Sequence, residues 1–178
     1  VLSDSWRKFI LDVAPHAKIT ILPNYVLPPL SALIPDRTSR KSLEILFLGV
    51  IGDRKGVFDL LKAFARVVPE YPNVYLTIAG NGELERAISE AKRLGLDANV
   101  KFPGWISGDK KNELLAAADI YILPSHNEGL PMSILEAMSW QLPIISTTVG
   151  GIPELVCEEE VILVTAGEII GNCQLIAS

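Results

Sequence analysis

Short apolar runs alternate along the chain with stretches whose apolar positions recur every three or four residues. Strand-like runs occupy 44–48 (EILFL), 74–79 (VYLTIA), 99–102 (NVKF), 119–123 (DIYIL) and 143–146 (PIIS). Between the first two, Val57, Leu60, Leu61, Phe64, Val67 and Val68 predict a helix over 57–68. Leu84, Ala87, Ile88, Ala91 and Leu94 predict another over 83–94, with Glu85, Arg86, Glu90 and Arg93 facing water. Strands apolar on both faces, separated by amphipathic helices, belong to a parallel sheet covered on both sides. The expected fold class is α/β, a doubly wound parallel sheet of Rossmann-like type. Ligands of such sheets sit outside the carboxyl ends of the strands. Function is therefore sought in the loops after residues 48, 79, 102, 123 and 146.

The first 42 residues read differently. Residues 3–13 (SDSWRKFILDV) predict an amphipathic helix that stops before Pro15, and Lys18–Leu22 alternates as a strand would. Pro23, Pro28, Pro29 and Pro35 mark 23–42 as a connector without regular structure. The doubly wound domain is then 43–178.

Four of the sheet-edge loops carry glycines. In Pro124-Ser125-His126-Asn127-Glu128-Gly129-Leu130-Pro131, leading into Met132-Ser133-Ile134-Leu135-Glu136, Pro131 suits the first turn of a helix. The backbone N–H groups of about residues 130–133 then form a helix N-terminus, which attracts phosphate. Glu128 precedes that helix and Glu136 lies about two turns into it. They read either as carboxylates bracketing the hydroxyls of a long ligand or as a solvated loop acid and a helix-surface acid. Gly49-Val50-Ile51-Gly52-Asp53-Arg54-Lys55-Gly56 offers close backbone approach and Lys55 as a point charge, or simply a turn with surface cations. Gly80-Asn81-Gly82 lacks the third glycine of a dinucleotide fingerprint. His126 is a candidate for proton transfer or an ordinary loop histidine, and Trp105 reads as half-buried packing rather than a stacking platform. The chain has no Gly-x-Ser-x-Gly elbow, no P-loop and no His/Asp/Glu cluster at metal spacing.

Composition narrows the classes. In 178 residues with a net charge of -5 and no Lys/Arg cluster, duplex nucleic acid is not an expected partner. Cys157 and Cys173 cannot form a disulfide scaffold. No apolar run is long enough to span a bilayer. A mean hydropathy of +0.32 is oily for a water-exposed domain.

The run Pro124-Ser125-x-x-Glu128-Gly129-x-Pro131-x-x-x-Leu135-Glu136-Ala137-Met138, with Pro143 and Gly150-Gly151-Ile152-Pro153-Glu154 behind it, resembles the retaining GT-B glycosyltransferases of the glycosyl transferases group 1 type. Lys55-Gly56, Gly80-Asn81-Gly82-Glu83, Val100-x-Phe102-x-Gly104 and Ala118-Asp119 follow in the family's order, and Ile21-Leu22-Pro23-Asn24 resembles its inter-domain linker. The resemblance covers roughly 18–156. It implies the C-terminal, donor-binding half of a two-domain enzyme, with an N-terminal acceptor domain absent from this chain and 1–42 serving as inter-domain helix, strand and connector. It implies a nucleotide-diphosphate sugar as donor substrate, no cofactor and no metal, and retaining hexosyl transfer to a polysaccharide or a lipid-linked acceptor at a membrane. The implied setting is cell-envelope polysaccharide assembly, cytoplasmic or peripheral at the inner membrane face. By position, Glu128 and Lys55 would be catalytic. Donor-binding residues would be Glu136, Gly129, Leu130, Pro131, Met132, Ser133, Arg54, Gly80, Gly82 and Ile106. Three departures stand beside these expectations. Val50 occupies a position where the family commonly has Arg, which leaves Arg54 as substitute; Cys157-Glu158-Glu159-Glu160 replaces an Asp-Gly turn; and the last helix is shortened to about 167–177. The alternative is a degenerate, non-catalytic nucleotide-binding or assembly module.

Overall fold

The apolar runs pair side by side, as strands with no wet face must. A computed structural model of the chain describes residues 1–30, 33–37, 40–156 and 161–167. Its strands are β1 (Leu43–Leu48), β2 (Val74–Ala79), β3 (Val100–Gly104), β4 (Ile120–Leu123), β5 (Ile144–Thr147) and β6 (Val161–Val164). All pair in parallel, in the order β3-β2-β1-β4-β5-β6. The order reverses between β1 and β4, which makes the carboxyl end of that pair the topological switch point.

The connecting helices are α2 (Val57–Val67), α3 (Leu84–Arg93), α4 (Asp109–Ala117), α5 (Met132–Ser139) and the short α6 (Ile152–Leu155). Right-handed crossovers put the helices running out toward β3 on one face and those running toward β6 on the other. The core fills the space between, with Phe47, Phe64, Leu76, Ile78, Tyr121 and Ile134 removed from solvent. The two helices read from periodicity form within a residue of the expected bounds. The spacing did not point to α4, of whose residues only Leu115 is buried, nor to β6. A nine-residue helix with one buried position carries almost no periodic signal.

Residues before β1 depart from expectation at one point. Helix α1 (Asp4–Val13) forms as predicted, capped by Ser3, whose Oγ accepts from the Trp6 N–H at 3.4 Å. The strand expected over Lys18–Leu22 does not form. A strand needs a neighbour for its backbone groups, and the segment is met only at its ends. The Val1 ammonium donates to the Thr20 carbonyl at 2.9 Å and the Leu22 N–H to the Val1 carbonyl at 2.8 Å. The described residues of the connector lie in neither α-helix nor strand, yet they are anchored. Arg37 donates to the carbonyls of Ala118 (2.7 Å) and Trp140 (3.3 Å), and Arg40 to those of Ala116 and Ala117 and to Asp119 at 3.0 Å. Two cations thus close the carbonyl end of α4, where the helix dipole is negative. Burial, and secondly Arg40, lower the basicity of Arg37, which Asp119 partly offsets.

Cys157, the Glu158–Glu160 run, Cys173 and all but the first residue of the helix expected over 167–177 lie outside the described residues. No helix among the described residues is long and apolar enough to cross a membrane.

Candidate active site

The glycine-bearing loops do converge on the carboxyl edge, and the glycines let them touch one another. A Cβ on Gly80 would overlap the Gly49 carbonyl, and one on Gly82, whose φ is +111°, would overlap the Ile51 carbonyl. The loops after β1 and β2 are stitched through Ile51 N–H to Asn81 O (2.6 Å) and Glu83 N–H to Ile51 O (2.9 Å). Gly150, with φ +59°, likewise has the Glu128 carbonyl where a Cβ would stand, and Gly151 N–H donates to Gly129 O at 2.8 Å. The glycine count therefore reflects loop-to-loop packing. Of the three donor-binding glycines expected from sequence, Gly80, Gly82 and Gly129, Gly80 also lines a cavity beside Trp105 and Ile106.

The loop after β4 and the turn after β1 meet in an ion pair. The Lys55 ammonium lies 2.5 Å from Glu128 Oε1, and Ser125 Oγ donates to the same oxygen at 2.6 Å. Glu128 is 7% exposed, so it is not a solvated loop acid. Both bonds fall on Oε1. No buried side-chain polar atom among the described residues lacks a partner, so Oε2 keeps solvent access and a lone pair for a ligand hydroxyl. Arg54 is exposed and donates to the Asn127 carbonyl at 3.2 Å, which leaves it at the loop's rim. His126 does not face Glu128 with its Nε2; that atom is 2.9 Å from Asp59 Oδ2.

Helix α5 starts at Met132, with Pro131 as the N-cap residue rather than the first helical position expected for it. The N–H groups of Met132 and Ser133 have no acceptor one turn back within the helix. Leu130 and Pro131 are buried, Met132 is exposed, and the connector's Asn24 holds the approach through a 2.9 Å bond to the Leu130 carbonyl. Beneath the first turn, the fully buried Tyr121 donates to the Leu48 carbonyl at 3.2 Å. Burial raises its phenol pKa well above the ordinary value, with the hydrogen bond to Ser133 the largest opposing cause, so it stays a neutral donor.

Glu136 is half-buried and paired, its Oε1 2.5 Å from the Lys111 ammonium. Lys111 also lines a cavity of about 200 Å³ with Gly49, Val50, Gly80, Trp105 and Ile106. Lys111 was not a candidate from sequence; it lies on α4, just after the loop that follows β3, and that loop's place at the same edge was the available signal. Trp105 is 68% exposed rather than half-buried, and its ring forms part of the cavity wall. A second cavity of about 290 Å³ opens on the far side of Glu128, against α1. Glu128 of one Lys–Glu pair lines this cavity, and Lys111 of the other lines the first. The described residues hold no group of three or more His, Cys, Asp or Glu side chains able to bind a metal.

Comparison with known proteins adds the family context. The family described as glycosyl transferases group 1 matches residues 35–173. An uncharacterised glycosyltransferase of Methanocaldococcus jannaschii is 35% identical over 124 residues, which are 67% of this chain and 30% of that protein. The alpha-galactosylglucosyldiacylglycerol synthase of Streptococcus pneumoniae is 32% identical over 146 residues, 74% of this chain and 38% of that protein. Among solved structures, Anabaena HepE in complex with UDP-glucose superposes with a TM-score of 0.69 at 27% identity, covering 77% of this chain and 38% of that one. The chain spans about a third of the length of these curated relatives.

Proposed function

The chain belongs to the glycosyl transferases group 1 family, and from that premise we propose that it binds a nucleotide-diphosphate sugar along the carboxyl edge of its sheet and acts as the donor half of a retaining sugar transferase. The observation that carries the reading is the pair of Lys–Glu contacts, Lys55–Glu128 just ahead of α5 and Lys111–Glu136 on α5 itself. A ligand lying across the α5 N-terminus meets cations and free N–H groups at its middle, carboxylates beside its hydroxyls and an apolar cavity at one end. A nucleotide-sugar has that order: base, ribose, diphosphate, sugar.

In this reading the base lies against Ile106 and Trp105, near Gly80, with Gly82 shaping the loop below. Glu136 accepts from the ribose hydroxyls. The diphosphate rests on the N–H groups of the Gly129–Ser133 stretch, with Lys55 and the rim cation Arg54 nearby. Leu130, Pro131 and Met132 set that backbone's shape. Glu128 receives a hydroxyl of the transferred sugar on Oε2. As the bond from the anomeric carbon to the phosphate oxygen breaks, its electron pair leaves on the diphosphate. The acceptor oxygen bonds to that carbon, and the acceptor hydroxyl's proton ends on the departing diphosphate. Charge that grows on the leaving group faces donors already in place, which is where electrostatic catalysis is strongest. The proposal assigns this neutralisation to protein groups and to no metal or cofactor. The acceptor, a polysaccharide or a lipid-linked glycan, meets this half together with an acceptor domain of the longer protein.

Calorimetry with UDP and GDP tests the reading. Glu136→Ala should weaken binding about tenfold or more, the loss of one or two hydrogen bonds to a charged group. Unchanged affinity overturns the ribose assignment. The second reading, a nucleotide-binding module without turnover, is favoured by Val50, which puts an apolar side chain at the cavity's edge. Binding of UDP-sugars with no transfer or slow hydrolysis in the full-length protein would favour it.

A further inference from the structure

Helix α1 buries none of its residues, yet it is held in place. Glu154, on α6, accepts from the N–H groups of Asp4 (2.7 Å) and Ser5 (2.9 Å) and from the Ser5 hydroxyl, so a carboxylate caps the helix at its positive end. Ser3, just before it, is buried. This pin sets the aromatic side of α1 against the catalytic loop. Trp6 Nε1 is 3.7 Å from where a Cβ on Gly129 would stand, and Phe9 meets the Trp6 ring edge to face at 5.7 Å. The cavity of about 290 Å³ so formed has Trp6 and Phe9 as one wall and His126, Asn127 and Glu128 as another. It shares no lining residue with the cavity at Trp105 and Ile106.

We propose that this cavity is the subsite for the sugar ring of the acceptor, with Trp6 as its stacking wall. A pyranose presents a face of C–H bonds and a rim of hydroxyls. The face suits an aromatic ring that is 40% exposed, and the rim suits the imidazole of His126 and the amide of Asn127. An accepting hydroxyl must come within bonding distance of the anomeric carbon, hence beside Glu128, and this cavity opens there. The inference rests on the donor reading above, and it makes the acceptor a glycoside rather than a bare lipid headgroup or protein hydroxyl.

Saturation-transfer NMR on the 178-residue chain, with UDP at saturation and methyl α-D-glucopyranoside as probe, tests it. The ring C–H protons of the glucoside should receive saturation from the protein. Trp6→Ala should weaken the glucoside about tenfold, with UDP affinity and melting temperature unchanged. Trp6→Phe, which keeps an aromatic face, should restore binding to within about threefold of the parent. A glucoside that does not bind, or that binds Trp6→Ala and the parent alike, overturns the subsite. Should Trp6→Ala melt early, Trp6→Phe against Trp6→Leu gives the same contrast. Displacement of the glucoside by UDP-glucose but not by UDP would make the cavity the transferred sugar's own, and overturn the acceptor assignment. Failure of UDP to bind while the glucoside still depends on Trp6 would sink the donor reading and overturn the acceptor assignment with it, leaving a sugar-binding cavity of another kind.

Discussion

Gly80 and Gly129 sit in equivalent settings, each in a loop at the carboxyl edge, but they tolerate different things. A methyl group on Gly80 runs into the backbone oxygen of Gly49, which cannot swing aside as a side chain would. Gly80→Ala should cost about 2–3 kcal/mol as overpacking, lowering the melting temperature by roughly 4–12 °C. It should also weaken UDP, because the cavity wall moves with the loop. Gly129 has its nearest neighbour at an ordinary contact distance of 3.7 Å and carries no positive φ, so Gly129→Ala should melt within about 2 °C of the parent. Equal melting of the two variants would refute the packing explanation. Glu128→Gln makes the complementary test of chemistry. It keeps a hydrogen-bond acceptor but removes the negative charge beside Lys55, so turnover of the full-length protein should fall by about 10² or more with donor affinity changed far less. At this scale Lys55, Glu128 and Glu136 were candidates through the ordered run that resembles the family, and the structure pairs Lys55 with Glu128 and Glu136 with Lys111. The partners Lys111 and Asp59 were not, since each comes from another part of the chain and only tertiary structure brings it close. The sheet-edge glycines read either as turns or as close approach to a ligand, and the structure adds a third demand, since Gly80, Gly82 and Gly150 meet the backbone of neighbouring loops.

Elements are joined here by small polar devices that periodicity cannot announce. Arg86 on α3 is one: it donates to Asp53 at 2.9 and 3.2 Å and to Glu83 at 2.6 Å, and its guanidinium lies 3.8 Å from the centre of the Phe58 ring. It ties the turn after β1 to the start of α3 and to α2. Arg86 holds the Asp53 carboxyl below its ordinary value of 3.8, through hydrogen bonding first and charge second. A depressed folded-state value means the clamp contributes fully above about pH 4 and fades as pH falls from 3.8 through the folded-state pKa. An NMR titration of the Asp53 side-chain carbonyl should therefore show a midpoint below 3.8 that returns to it in Arg86→Ala. A midpoint unmoved by that substitution rules the clamp out. The capping of α1 by Glu154 makes a different forecast, because α1 contributes nothing to the core. Glu154→Ala should release the protection of α1 amides in hydrogen exchange, with amides of β1 and β4 unaffected. The failure of Lys18–Leu22 to become a strand belongs to the same scale: its alternation was real, but a strand's backbone needs an adjacent strand, and alternation says nothing about whether one is there.

At the scale of the whole chain, the high mean hydropathy now has an address. Ten of the fifteen exposed large hydrophobic side chains among the described residues fall within 1–33, from Leu2 and Trp6 to Leu30 and Leu33. The buried core starts only at Ile45 and is built from the sheet and the helices after it. The oily segment and the folding unit are therefore separable, and the alternating pattern after residue 43 foretold the second without accounting for the first. A chain shortened to 34–178 keeps Arg37 and Arg40, and with them the closure of α4. It loses the Asn24 bond to Leu130 and the partners of Glu154. Those losses amount to about 1–2 kcal/mol, so the shortened chain should melt cooperatively no more than roughly 8 °C below the parent. It should also self-associate less than the full 178 residues in sedimentation at equal concentration, because ten exposed large apolar side chains are gone. UDP should still bind, since the cavity at Trp105 and both Lys–Glu pairs remain, whereas the glucoside should not, since Trp6 and Phe9 have left. A shortened chain that fails to fold would mean that residues 1–33 stabilise the sheet in a way their exposure conceals. One that folds, binds UDP and still binds the glucoside would move the acceptor subsite off α1.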